Sequence, residues 1–203
     1  MQRVLFVING GEHPTYACRK ELIQTLMQVK HISFNHIKSF DLLPNDLQKY
    51  AALVLYFHEQ LLSERALNLF DQFVSEGGGV LAVHSATASF MDSSKYFEIL
   101  GGRFMRHGPI TEFQVTPVGD ESDIFSEIPP FFMEDELYVH DLQPDIRPQF
   151  TASDGIKEVP VVWTHRYGIG RVCYAVPGHR IETMRHPDYQ NLLRQGLSWV
   201  IGA

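Results

Sequence analysis

Four histidines stand shortly after apolar runs of the sequence, and this placement is its clearest chemical signal. They are His13, His58, His84 and His179. In an open sheet of parallel strands, ligands bind beyond the carboxyl ends of the strands, where such residues would gather. A single histidine beside an apolar run is more often structural, but several at one sheet edge favour a common site. His58 is the weakest member of this set.

The segment from Ala82 to Ala86 is typical of a sharp strand-to-helix turn that presents one side chain at its apex. Such turns need small residues two positions before and two positions after the apex. Ala82 and Ala86 meet this need for His84, whereas an apex at Ser85 would be flanked by β-branched residues. The pattern therefore predicts His84 as the projecting residue and disfavours a serine hydrolase. Ser85 and Thr87 could equally cap the segment that follows.

Strands and helices must alternate in the first half of the chain to position these histidines. Apolar, β-branched runs predict buried strands at 3–8, 51–57 and 80–83, with a shorter alternating strand at 31–37. Thr15 and Ser63 are predicted N-caps of the helices between them. This order predicts βαβ units around a mostly parallel, doubly wound sheet of flavodoxin-like type.

The second half of the chain has a different pattern, with short strands separated by proline-rich or acidic loops. Strands are predicted at 111–117, 135–140 and 148–152, and a hairpin pairs 159–165 with 171–176. The last helix begins at Pro187. Strand alternation within 135–140 places Glu136, Tyr138 and His140 on one face. We therefore expect an antiparallel insertion and a C-terminal hairpin beside the parallel sheet.

Composition excludes several functional classes. The chain has 203 residues, a formal net charge of -7 and a pI near 5.8, without the basic stripe of a nucleic-acid-binding protein. No apolar run is long enough to cross a membrane, and the N-terminal run is too short for a signal peptide. Cys18 and Cys173 have no CxxC spacing and are expected to pack in the interior. These features predict a single soluble, cytoplasmic domain over residues 1–203.

A family resemblance rests on four motifs that occur in order along most of the chain. They are Gly77 to Ala86, Leu100 to Phe104, Asp135 to Tyr138, and Gly168 to His179. Together they resemble the ThuA-like (trehalose utilisation) family, whose fold is similar to that of class I glutamine amidotransferases. Those amidotransferases carry a cysteine at the apex, where this chain has His84. Glutamine hydrolysis through a thioester is therefore excluded.

The resemblance also implies a set of site residues. His84, Glu136 and His179 would be the catalytic group, although Glu136 could alternatively belong to a solvated acidic strand end. The resemblance also implies that His13 and His107 lie near this group, and Ser85, Arg103 and Tyr138 are further residues expected, from their types and positions, to contact substrate. Arg103 could equally be a surface residue after the Gly101-Gly102 turn.

The leading interpretation is an enzyme of carbohydrate catabolism that acts on a disaccharide or keto-sugar by acid–base chemistry. Isomerisation, elimination and hydrolysis all remain open. A second interpretation is a hydrolase or lyase with a divalent metal held by His13, His84, His179 and Glu136, since imidazole and carboxylate suit zinc, iron or manganese. A third is a sugar-binding or regulatory domain without catalytic activity.

The expected partner is a small-molecule sugar, with no nucleic acid and no membrane. A homo-oligomer and a companion sugar dehydrogenase both remain open. No cofactor other than the divalent metal is indicated. The segment after the first strand lacks the GxGxxG spacing that binds a pyrophosphate, which argues against a nicotinamide cofactor.

Overall fold

The parallel half of the central sheet carries the strand ends on which the predicted site depends. The computed structural model describes residues 1–9, 14–119 and 124–202. The five neighbouring strands, in spatial order, are β2 (Ile32–Ile37), β1 (Gln2–Ile8), β3 (Ala52–Tyr56), β4 (Gly79–Val83) and β11 (Gly170–Ala175). Each pair is parallel. Every residue of β3 and β4 is buried, which explains their continuous apolar sequences.

Helices connect these strands and follow the last one. They are α1 (Tyr16–Leu26), α2 (Glu64–Ser75), α3 (Ser94–Leu100), α4 (Ile181–Arg185) and α5 (Pro187–Ile201). Thr15 and Ser63 are N-caps, as predicted, because their side chains accept hydrogen bonds from the amides of Cys18 and Ala66. Helices α1, α4 and α5 pack together, and α2 packs against α3. Among the described residues, no helix has both the length and the apolar character needed to cross a membrane.

The antiparallel half of the sheet continues from β11. Its strands, in spatial order, are β10 (Glu158–Tyr167), β9 (Arg147–Ser153), β6 (Thr111–Pro117) and β7 (Phe131–Asp135). The predicted hairpin is confirmed, with β10 antiparallel to β11. A separate antiparallel pair consists of β5 (Gly102–His107) and β8 (Tyr138–Leu142). The molecule is thus a mixed α/β structure with a large sheet, as expected.

The prediction of one strand over 135–140 is wrong, and the break falls at a predicted site residue. Strand β7 ends at Asp135 and pairs with β6, whereas β8 begins at Tyr138 and pairs with β5. The Asp135 Oδ1 atom accepts the amide hydrogen of Glu136 at 2.7 Å, which turns the chain between the strands. Glu136 therefore lies in a connection, and strand alternation does not set the direction of its side chain.

Candidate active site

His84 occupies a sharp turn at the carboxyl end of β4. Its φ is 48°, a left-handed value that is uncommon outside glycine, and its side chain is fully buried. The turn agrees with the small flanking residues Ala82 and Ala86. His84 Nδ1 lies 2.9 Å from the carbonyl oxygen of Val176. Because a carbonyl can only accept, Nδ1 carries the hydrogen, and in the neutral ring Nε2 presents a lone pair.

Buried hydroxyl groups hold the backbone of this turn. Tyr174 donates a hydrogen bond of 2.7 Å to the carbonyl oxygen of His84, and Thr87 Oγ1 donates to the same oxygen at 3.3 Å. Thr87 Oγ1 also lies 2.7 Å from the Tyr174 hydroxyl and 2.9 Å from His140 Nε2. The strained conformation of His84 is thus supported by three side chains from β8, β11 and the turn itself.

The carboxylate of Glu136 is the centre of the site. Its Oε2 lies 3.6 Å from His84 Nε2 and 3.3 Å from His179 Nδ1. Its Oε1 lies 3.8 Å from His107 Nδ1. Side-chain exposure rises from 0% at His84 to 13% at Glu136, 31% at His179 and 40% at His107. The cluster therefore extends from the buried end of β4 outward to solvent.

Asp135 fixes two segments of the site relative to each other. Besides the amide of Glu136, its buried carboxylate accepts the amides of Gly178, His179 and Arg180 at 3.1–3.3 Å. Glu136 and His179 are held together in this way, although they are far apart in sequence. Sequence reasoning missed this role, because it placed Asp135 on the opposite strand face. The only signal was its position beside Glu136 in the acidic motif.

Gly178 lets the loop after β11 approach His84. A Cβ atom at Gly178 would lie 2.8 Å from His84 Cβ, closer than real Cβ contacts allow. Two buried tyrosines fix the loop by hydrogen bonds to its backbone. Tyr56 donates to the carbonyl oxygen of Gly178, and Tyr189 donates to that of Pro177. The glycine is therefore needed for close contact between the two histidine-bearing segments.

Aromatic side chains line one side of the cluster. The ring of Tyr138 lies 4.3 Å from that of His84, 5.4 Å from that of His107 and 4.5 Å from that of Phe104. Burial raises the pKa of Tyr138, and the nearby Tyr174 and Glu136 raise it further. Its hydroxyl therefore stays protonated at neutral pH and can donate a hydrogen bond.

Three of the other predicted residues, all in the described part of the chain, are not brought into this cluster. Ser85 is fully buried, and Arg103 is exposed with its guanidinium 5.7 Å from the ring centre of Phe97. Ser85 is therefore inaccessible, and Arg103 lies on the other face of β5 from Phe104, so neither side chain joins the cluster. His58 is exposed and lies 2.9 Å from the amide nitrogen of Gln60. His13 lies outside the described residues.

A separate cleft of about 590 Å³ lies beyond strand β8. Leu137 and Val139 line it, whereas Tyr138 between them contacts His84. Arg106 and Asp154, an ion pair of 3.1 Å, form part of its wall. The cleft is therefore distinct from the histidine cluster, none of whose residues lines it.

Three side chains of the cluster could ligate a metal ion. His84, Glu136 and His179 each offer one ligand atom, and these atoms lie within 4.8 Å of one another. The same geometry suits proton transfer, because a carboxylate and two imidazoles are the usual acids and bases near neutral pH.

Several solved structures have a fold similar to that of this chain over nearly its whole length. A ThuA-like protein from Parabacteroides merdae matches with a TM-score of 0.84 at 21% identity, over 99% of this chain and 90% of that one. A cytoplasmic protein from Salmonella typhimurium LT2 matches with a TM-score of 0.75 at 15% identity, over 98% and 99% of the two chains. The β-galactosidase from Rahnella sp. R3 matches with a TM-score of 0.71 at 14% identity, over 98% of this chain but 31% of that enzyme.

Sequence comparison identifies the family. No curated protein sequence is significantly similar to the chain. The family model ThuA, described as trehalose utilisation, matches residues 3–200. This match runs from within β1 to within α5 and includes the three residues that could ligate a metal ion. The chain belongs to the ThuA family.

Proposed function

We propose that the protein is an enzyme of carbohydrate metabolism that acts on a keto-sugar by acid–base chemistry. The observation that carries the proposal is the position of the Glu136 carboxylate between two imidazoles, 3.3 Å from His179 and 3.6 Å from His84. Membership of a family described as trehalose utilisation supports a sugar as substrate. The apex histidine in place of a cysteine supports chemistry without a covalent thioester.

The roles follow from the protonation states that each group can adopt. Glu136, as a carboxylate, would remove the proton on the carbon next to the ketone. His179 would donate a hydrogen bond or a proton to the oxygen on which negative charge develops, whereas His84 Nε2 would donate only when the ring is protonated. His107, at the outer side of the cluster, would contact the sugar, with the buried Tyr138 packed against its ring. The enolate formed in this way leads to isomerisation or, where a leaving group is adjacent, to elimination.

Replacement of Glu136 by glutamine tests the proposal. The amide keeps the shape of the side chain but cannot accept the proton, so turnover of 3-keto-glycosides should fall by about 10²- to 10⁴-fold. Glu134→Gln is the matched control, because the Glu134 carboxylate is exposed and pairs with Arg180 outside the cluster. We expect near-normal turnover in this control. Full activity of folded Glu136→Gln protein would refute the role, and disaccharide that is bound but never altered would favour a binding domain.

We also propose a finer description of the fold and location. The strand order β2-β1-β3-β4-β11 and the two groups of helices support a doubly wound, flavodoxin-like sheet similar to that of class I glutamine amidotransferases. A cytoplasmic location is supported by the structural relative from Salmonella typhimurium LT2, which is described as a cytoplasmic protein. Fractionation of cells that express the untagged protein would test the location.

A further inference from the structure

We propose that His84, Glu136 and His179 form a binding site for a divalent transition-metal cation, with zinc as the closest match. The binding site is argued from geometry alone. Only the role of the cation in catalysis rests on the proposed function, the reaction of a keto-sugar. The ligands would be Nε2 of His84, Oε2 of Glu136 and Nδ1 of His179. They come from the turn after β4, the connection between β7 and β8, and the loop after β11.

The separations between these atoms fit ligation better than direct hydrogen bonding. Zinc binds histidine nitrogen and carboxylate oxygen at about 2.0–2.2 Å, so ligands at tetrahedral angles lie about 3.3–3.6 Å apart. The observed nitrogen–oxygen distances are 3.6 Å for His84 and 3.3 Å for His179. Hydrogen bonds from nitrogen to oxygen are shorter, at about 2.7–3.2 Å. All three ligand atoms lie within 4.8 Å of one another, so a small movement of the partly exposed His179 ring would bring them to tetrahedral spacing.

The outer contacts of the ligands also fit a metal site. A histidine ligand usually donates its second ring N–H to a carbonyl or carboxylate, which fixes the ring and directs the other nitrogen to the ion. His84 Nδ1 does this with the carbonyl oxygen of Val176 at 2.9 Å. Asp135 holds the backbone amides of Glu136 and His179 on one carboxylate oxygen. The positions of two ligands are therefore fixed by hydrogen bonds before any ion binds.

The chemistry of the donors narrows the choice of ion. Two imidazoles with one carboxylate suit zinc, iron(II) or manganese(II) better than magnesium or calcium, which prefer oxygen ligands. Three protein ligands leave at least one position of a four-coordinate ion for a ligand from solution. In the proposed reaction, the cation would polarise the ketone oxygen of the sugar. Glu136 Oε1, on the side of His107, would remain for proton transfer.

Metal titration of the whole, untagged protein tests the site. Protein stripped with a chelator should bind one equivalent of Zn²⁺ in competition with a chromophoric chelator. His179→Ala and Glu136→Gln should weaken binding at least tenfold. Glu134→Gln and His58→Ala are controls outside the cluster and should bind as the wild type does. Failure of the wild type to bind Zn²⁺ or Mn²⁺, or equal binding by His179→Ala, would overturn the proposal.

Activity assays on the same samples separate this inference from the proposed function. Full turnover of a keto-glycoside by stripped protein, unchanged on adding Zn²⁺, would overturn the catalytic use of the cation and would support acid–base chemistry by the side chains alone. One tightly bound equivalent that is lost in the variants would support the site. Such binding without turnover of keto-glycosides by stripped or loaded protein would contradict the proposed function and leave the site standing.

Discussion

The orientation of His84 depends on how closely Gly178 packs against it. Alanine at Gly178 would place its Cβ 2.8 Å from His84 Cβ, so one of the two segments must move. We expect Gly178→Ala to lower unfolding free energy by about 1–3 kcal/mol, the usual cost of overpacking. Turnover should fall at least tenfold, since a displacement of about 1 Å at a reacting group can cost 10²-fold in rate. Urea denaturation and keto-glycoside kinetics measure the two effects.

Gly155→Ala is the control for this variant. Gly155 also has a positive φ, 86°, but a Cβ there would meet nothing within 4 Å. The Gly155→Ala variant should therefore have a strained backbone without a steric clash, and its turnover should be unchanged. Equal loss of turnover in both variants would mean that Gly178 does not position His84.

At the level of single residues, sequence patterns predict the position of His84 but not the residues that hold the site in place, Asp135 and Tyr174. The small residues Ala82 and Ala86 lie two positions before and after His84, and this short-range pattern is enough to predict His84 at the apex of the turn. The roles of Asp135 and Tyr174 depend on hydrogen bonds to residues more than 40 positions away. Residue spacing along the chain carries no information about such contacts, so sequence reasoning could not find them.

Among the elements, the loop after β11 and the connection between β7 and β8 form a unit through Asp135. Asparagine at Asp135 would leave one oxygen to accept the amides and would direct an NH₂ group at amide hydrogens. Hydrogen bonds to a charged group contribute about 1.5–3 kcal/mol each, so we expect Asp135→Asn to lose at least one such contribution in unfolding free energy. Turnover should fall more than tenfold, because Glu136 and His179 would separate.

Asp154→Asn provides the comparison for Asp135→Asn. Asp154 also accepts two backbone amides, from Ile156 and Lys157, but its carboxylate pairs with Arg106 in the separate cleft and contacts none of the three proposed metal ligands. We expect it to affect stability with little change in turnover. If Asp135→Asn kept normal kcat and KM after its loss of stability, Asp135 would have only a structural role.

Elements with strong local signals were predicted, and those defined by distant pairing were not. The caps of α1 and α2, the buried strands and the β10–β11 hairpin all have short-range signatures. The short elements α3, α4 and β5 have weak periodicity and were missed. The break at Glu136 depends on β7 pairing with β6 and β8 with β5, which a single acidic segment does not reveal.

On the scale of the whole molecule, the site exists only when both halves of the sheet are folded together. The parallel half supplies His84 and His179, and the connection leaving the antiparallel half supplies Glu136. His140 links the halves, since its Nε2 contacts Thr87 and its ring packs on Trp163 and Tyr174. Unfolding should therefore disrupt the cluster and the sheet cooperatively.

The burial of His140 makes the stability of the protein sensitive to acid. Burial lowers the pKa of His140 from 6.5 to about 3, so the unfolded chain binds a proton that the folded chain does not in this range. Stability therefore increases with pH between these values and is lost as pH falls from about 6.5 toward 3. One such group changes the free energy of unfolding by up to about 1.4 kcal/mol per pH unit.

His140→Gln isolates this contribution. Glutamine can still hydrogen-bond to Thr87 but does not titrate, so the variant should lose less stability than the wild type between pH 6.5 and 4. Urea denaturation at a series of pH values gives both curves. Parallel curves for the two proteins would show that His140 does not cause the acid sensitivity.

Solvent deuterium exchange tests most directly whether Glu136 removes a proton next to the ketone of a sugar. A 3-keto-glycoside is incubated in D₂O with the protein, and proton NMR follows the signals of the hydrogens beside the ketone. The wild type should exchange these hydrogens much faster than buffer, and Glu136→Gln should be slower by about 10²-fold or more. Exchange by the wild type no faster than buffer, or equal exchange by folded Glu136→Gln, would contradict the claim.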